Sequence, residues 1–146
     1  MTEQISKNSQ QQHPEQLSAA ALAYLGDAVM ELLVRKHLVS AGISHAGELN
    51  AKALSYVRAT AQSGSIETLL PLLTEEEQAV YRRGRNGAGA HPKSATVAEY
   101  RRATGLEALF GYLYLCGREE RLNTLFSQYA AYVEKEACEN GSTKGS

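Results

Sequence analysis

The chain has 146 residues, a formal net charge of −1 and 43% hydrophobic residues. This is the length of one domain with enough apolar side chains for a core, and the charge excludes nucleic-acid binding driven by bulk positive charge; any basic surface must be local. No apolar run approaches the ~20 residues of a membrane span, and the polar N-terminus lacks a signal-peptide pattern, so a cytoplasmic protein with no membrane role is expected. Cys116 and Cys138 lie far apart without metal-ligand spacing, as expected of reduced thiols. Alanine, leucine, glutamate and arginine dominate and no convincing period-two run exists, which predicts an all-α helical bundle.

In chain order, residues 1–16 form a polar tail expected to be disordered, followed by one folded domain over 17–138 and a second flexible tail over 139–146. The spacing of Leu22, Leu25, Val29, Leu32 and Val39 predicts a helix from Ser18 to Ser40, capped by Ser18 and stopped near Gly42. A second helix is expected over 46–61, ending near Ser63-Gly64-Ser65, and a short piece over 66–73 limited by Pro71. Thr74 and Glu77 stand at capping-box spacing, which assigns that acidic run to a helix start rather than to metal binding. After Arg82-Arg83-Gly84-Arg85-Asn86 comes a glycine-rich loop to Pro92-Lys93. The next helix starts at a second capping box, Thr96 with Glu99, and runs to about Cys116; a last helix covers 118–137.

Gly105 and Gly111 fall inside a predicted helix at a cost of roughly 1 kcal/mol each relative to alanine. Gly111, like Gly26 in the first helix, is expected to let another backbone approach closely. Asp27 lies off the apolar stripe and shares a helix face with Glu31. Glu107 sits between Leu106 and Leu109 in an apolar stretch, where a carboxylate needs a cation or hydrogen-bond donors. On these residues alone, a structural ion pair with an arginine and a functional site are both open. From Arg82 to Arg102 there are six basic residues against one acid, Glu99. A solvated helix end and a phosphate-binding surface explain that run equally well.

Leu22-Ala23-Tyr24-Leu25-Gly26-Asp27-Ala28-Val29 resembles the signature helix of the ribonuclease III family, and Gly105-Leu106-Glu107-Ala108-Leu109-Phe110-Gly111 resembles its second signature. Arg83-Gly84-Arg85-Asn86, Pro92-Lys93, Tyr100-Arg101 and Glu119-Glu120-Arg121-Leu122 are similar to the short branch called mini-ribonuclease III. The resemblance covers about 17–126 and rests on the order and spacing of several short motifs.

It implies a homodimeric endonuclease domain that cleaves double-stranded RNA with Mg²⁺ (Mn²⁺ as a substitute), leaving 5′-phosphate and 3′-hydroxyl ends. Asp27 and Glu107 match the family's metal-binding, catalytic carboxylates. Further acids of the full-length enzymes fall on Ala20, Ala23 and Thr104 here, a departure the short branch shares. RNA contacts are expected at Arg83, Arg85, Asn86, Lys93, Arg101 and Lys52, with Arg58, Tyr56 and Gln62 as additions, Tyr56 being equally readable as a core residue. Glu31 is assigned either to orienting a metal-bound water or to a surface salt bridge.

The implied substrate is precursor 23S ribosomal RNA, and the absence of a following RNA-binding domain predicts dependence on substrate shape or on a ribosomal helper protein. Dimerisation is expected through the signature helix, around Leu32, Leu33 and Phe110. The missing carboxylates motivate the competing expectation of an inactive RNA-binding or ribosome-associated module, and a helical interaction protein with no RNA role is a further one.

Overall fold

The computed structural model describes residues 13–90 and 95–144, with side chains through Asn140. Six helices make up most of these residues, and no strand occurs among them: α1 (Ala19–Ser40), α2 (Ala46–Val57), α3 (Ala59–Leu69), α4 (Glu75–Asn86), α5 (Val97–Leu115) and α6 (Glu119–Lys144). Pro14–Gln16 and Leu70–Leu72 form short 3-10 turns.

α5 is the central helix. It buries Leu106, Ala108, Leu109, Phe110, Tyr112 and Leu113, which lie all round its axis. A helix apolar on every side must be surrounded. It is packed by α1, α4, α3 and α6, while α2 lies on α1.

Two glycine contacts fix how closely the neighbours approach. A Cβ built on Gly26 of α1 would collide with the Glu107 carbonyl oxygen of α5, and one on Gly111 of α5 would collide with the Leu22 carbonyl of α1. The two glycines therefore face each other where the helices cross, and main chain touches main chain. On the other side of α5, a Cβ on Gly105 would lie 2.7 Å from the Tyr81 ring, and one on Gly84 of α4 would lie 2.6 Å from Ala108 Cβ. Helix–helix separation is set by the side chains between the axes, so removing them draws α1 and α4 in tightly.

Both expected capping boxes form: Thr74 with Glu77, and Thr96 with Glu99. Glu77 does more than cap. Its side chain is fully buried and accepts from Arg121 Nε at 2.8 Å, from an Arg121 terminal nitrogen at 2.8 Å, and from the Thr74 amide at 2.9 Å. Burial pushes its acidity down, but the Arg121 and Thr74 contacts outweigh that and hold the carboxyl below the usual range. The acidic run at 74–77 is thus structural, as its spacing predicts.

Three expectations are corrected. The helix predicted over 46–61 breaks at Arg58, whose extended backbone (φ −69°, ψ 141°) separates α2 from α3. α3 then passes through Ser63-Gly64-Ser65 without stopping, because Gly64 is a packing residue beneath the Tyr132 hydroxyl and Ser65 Oγ donates to the Gln62 carbonyl at 2.7 Å. The last helix runs on to Lys144 rather than ending near Ala137, so part of the expected flexible tail is helical. No proline interrupts it, and one turn extends the next at little cost. At the other end, the 3-10 turn at Pro14–Gln16 lies within the stretch expected to be disordered; residues 1–12 lie outside the described residues.

Candidate active site

The crossing of α1 and α5 brings two carboxylates together. Gly26 seats the Glu107 main chain against α1, and Asp27 is the next residue along. The Asp27 and Glu107 carboxyls come within hydrogen-bonding reach. Asp27 is exposed and Glu107 half-buried, so solvent reaches the pair from the Asp27 side. None of the described ion pairs involves either acid. Burial, and then the hydrogen bond and charge of Asp27, push the Glu107 carboxyl up to about 8. The neighbouring Asp27 charge thus disfavours a second negative charge on Glu107.

Behind them stands Tyr129 of α6, fully buried and electrostatically coupled to Glu107; its hydroxyl donates to the Tyr56 carbonyl at the end of α2. Among the described residues no group of three or more His, Cys, Asp or Glu side chains is close enough to hold a metal by itself. Two hard carboxylates with open solvent on one side do suit a divalent cation that keeps several of its waters.

Glu31, one turn beyond Asp27, is exposed and has no ion pair among those described. It lines a groove of about 290 Å³ between α1 and α2 with Val34, Arg35, Asn50, Ala53 and Leu54.

The expected RNA contacts divide. Arg83 is committed to the fold, donating to the Glu15 carbonyl at 3.1 Å and to that of Leu17, and so pinning the N-terminal turn to α4. Arg85 lies 5.8 Å from the Tyr81 ring centroid and donates to Asn86 Oδ1 at 3.4 Å. Arg101 is exposed with no ion pair among the described residues, whereas Lys52 pairs with Glu48 at 3.7 Å. Lys93 lies outside the described residues. Tyr56 and Gln62 are both buried, and Arg58 is exposed at the break between α2 and α3.

Phe110, expected near a subunit interface, is instead in the core at 0% exposure, because the middle of α5 is enclosed by its neighbours. The apolar surface lies elsewhere: Tyr24 is 85% exposed, Leu32 60% and Tyr114 51%. Sequence reasoning missed Tyr24, although an aromatic off the buried stripe of an amphipathic helix was the available signal. Beside Leu32 and Tyr114 is an apolar recess of about 320 Å³, floored by Val29, Leu33 and Leu122.

Comparison with known proteins agrees with this arrangement. The family model described as Ribonuclease III domain matches residues 20–118. A protein of Symbiobacterium thermophilum named Mini-ribonuclease 3 is 48% identical over 84% of this chain and 95% of its own length. One of the same name from Brevibacillus brevis is 42% identical over 91% of this chain and 100% of its own length. The crystal structure of a Fusobacterium nucleatum protein superposes with a TM-score of 0.70 at 35% identity, covering 75% of this chain and 90% of that one. With both signatures meeting where α1 crosses α5 and relatives of this identity over most of their length, the chain belongs to the ribonuclease III family, in its mini-ribonuclease branch, and is an endoribonuclease.

Proposed function

We propose that the chain cleaves double-stranded RNA with Mg²⁺ as cofactor, Asp27 and Glu107 being the metal ligands and catalytic residues, and that its substrate is the base-paired ends of precursor 23S ribosomal RNA. The observation that carries this reading is the meeting of two acids from α1 and α5 with no basic side chain among the described residues paired to either. A bound divalent cation supplies activation of water and neutralisation of charge on the phosphoryl oxygens. The chain's own residues do the rest: Glu107 gives up its proton, the two carboxylates turn toward one point, and the Gly26–Gly111 crossing keeps them there. Arg85, Asn86, Arg101, Lys52 and Lys93 supply phosphate contacts, which read duplex shape rather than sequence. No helix among the described residues is long and apolar enough to cross a membrane, in keeping with work on ribosomal RNA in the cytoplasm, where a ribosomal protein that shapes the substrate is the natural helper.

Asp27→Asn and Glu107→Gln should each lower cleavage of a labelled duplex in Mg²⁺ by about 10³-fold or more, with RNA retained on a filter. Equal, background-level activity of wild type and both variants, with binding intact, would instead identify an inactive RNA-binding module.

A duplex has two strands, and one carboxylate pair cuts one of them, so the working form is a two-fold dimer. The exposed apolar face of Tyr24 and Leu32 on α1, flanked by Tyr114, supports this and lies beside Asp27. Tyr24→Arg touches no core contact and should cost the fold less than about 0.5 kcal/mol. In sedimentation velocity it should convert a dimer to a monomer; an unshifted dimer would place the interface elsewhere.

A further inference from the structure

The basic run that the sequence places between 82 and 102 does not act as one surface. Arg83 is used up on main-chain carbonyls of the N-terminal turn. Arg82 and Arg85 instead line a recess of about 410 Å³ between the 70–72 turn and α4, with Tyr81, Gln78, Leu70 and Pro71 completing the wall. Gln78 is spent on that wall, donating to the Leu70 and Leu73 carbonyls at 3.5 and 3.4 Å. Arg102 comes in from α5, and its charge, like that of Arg85, reaches the Tyr81 hydroxyl. None of Arg82, Arg85 and Arg102 has an acidic partner among the described ion pairs.

Stabilisation of a helix end does not account for the cluster. Arg82 and Arg85 are near the negative end of α4, but Arg102 is in the N-terminal half of α5, where a cation gains nothing from the helix dipole. Two guanidinium groups lining one recess, with the charge of a third close enough to act on the tyrosine in its wall, repel one another unless an anion lies between them, and planar guanidinium donors suit phosphate oxygens best.

We propose that this recess is a phosphate-binding site in which Arg82 and Arg85, with Arg102 nearby on α5, grip the backbone of a duplex RNA at a phosphate other than the scissile one. The inference rests on the RNA-cleaving function proposed above. Gly105, which backs Tyr81, and Glu107 are two residues apart on α5 and therefore point to nearly opposite sides of it. The recess and the carboxylate pair are thus separated by about one helix diameter, ~10 Å, and one phosphate cannot serve both.

The test is duplex RNA binding in EDTA, by filter retention across a chloride series, for wild type, Arg82→Gln/Arg102→Gln and the remote control Lys135→Gln. All three side chains replaced are exposed, so thermal melts should match. Arg82→Gln/Arg102→Gln should bind about 10-fold more weakly at moderate salt, and its log–log salt slope should be shallower by about 1–2. Lys135→Gln should follow wild type. A double variant indistinguishable from wild type would overturn the site while leaving the RNA function standing. A wild type with no salt-dependent RNA affinity would overturn the function and the site's RNA ligand together. Inorganic phosphate, titrated calorimetrically at matched ionic strength, distinguishes the sources. Saturable phosphate binding lost in the double variant, with RNA affinity unchanged, would show a free-anion site and overturn the backbone assignment.

Discussion

Gly26→Ala should cost the fold about 4 kcal/mol or more and abolish cleavage with it, as read by urea denaturation and a duplex-cleavage assay. The added methyl would meet the Glu107 main-chain carbonyl, with the Gly111 amide beside it, and neither can swing aside as a side-chain tip could. Overpacking against movable side chains costs typically 1–3 kcal/mol; here a whole helix must be displaced, so the larger figure applies. Gly111→Ala should behave alike, since its Cβ would strike the Leu22 carbonyl of α1. Gly47→Ala provides the contrast: it stands at an exposed position in α2 with nothing within 4 Å of its Cβ, and should fall within about 1 kcal/mol of wild type, on the stable side. A Gly26→Ala protein as stable as Gly47→Ala would mean that α1 and α5 can slide apart freely.

Glu107→Gln should inactivate the enzyme and yet make the metal-free protein more stable at pH 8 by about 2–4 kcal/mol. In the folded chain, burial and then Asp27 push the Glu107 carboxyl from 4.5 to about 8. The groups facing it are Asp27 on α1, which disfavours a second negative charge, and the neutral Tyr129 hydroxyl on α6, which donates to the Tyr56 carbonyl. Below pH 4.5 the carboxyl is protonated in folded and unfolded chains alike and carries no penalty. Between pH 4.5 and about 8 the unfolded chain sheds the proton while the folded chain keeps it, so stability falls as pH rises; above that range the loss is complete. Glutamine never ionises, and its amide can donate to Asp27 as the protonated acid does. Chemical denaturation at pH 5 and pH 8 in EDTA should therefore show a gap between variant and wild type only at the higher pH. Mg²⁺ should narrow that gap by stabilising wild type alone. Equal stabilities at both pH values would sink the description of Glu107 as a strained, metal-awaiting carboxylate.

What the sequence made legible was whatever depends on a few neighbouring residues. Ser18, Thr74 with Glu77, and Thr96 with Glu99 cap their helices as their spacing requires, because a cap is closed by residues three positions away. Gly26 and Gly111 were also readable as close-approach positions, since a glycine in a helix core invites that explanation, but that they approach each other is a fact of the tertiary fold. The failures share a cause. Gly64 reads as a helix end until Tyr132, from α6, is placed over it. Phe110 reads as part of an interface until the middle of α5 is seen to be enclosed, and the carbonyls of Glu15 and Leu17 that Arg83 meets lie more than sixty residues away. The break at Arg58 has no proline or glycine to announce it. In each case the deciding partner is remote in the chain and invisible to periodicity.

Direct main-chain contact between α1 and α5 also bears on how the enzyme can change over time. Leucines and valines elsewhere in the interior can be exchanged for one another, and the helices they separate will drift by fractions of an ångström as they are. The gap between the two acids is governed by peptide groups, whose dimensions no substitution alters. Reactivity is thereby insulated from most of the drift in the hydrophobic interior, and the vulnerability that remains is concentrated at two positions where even a methyl group is too large.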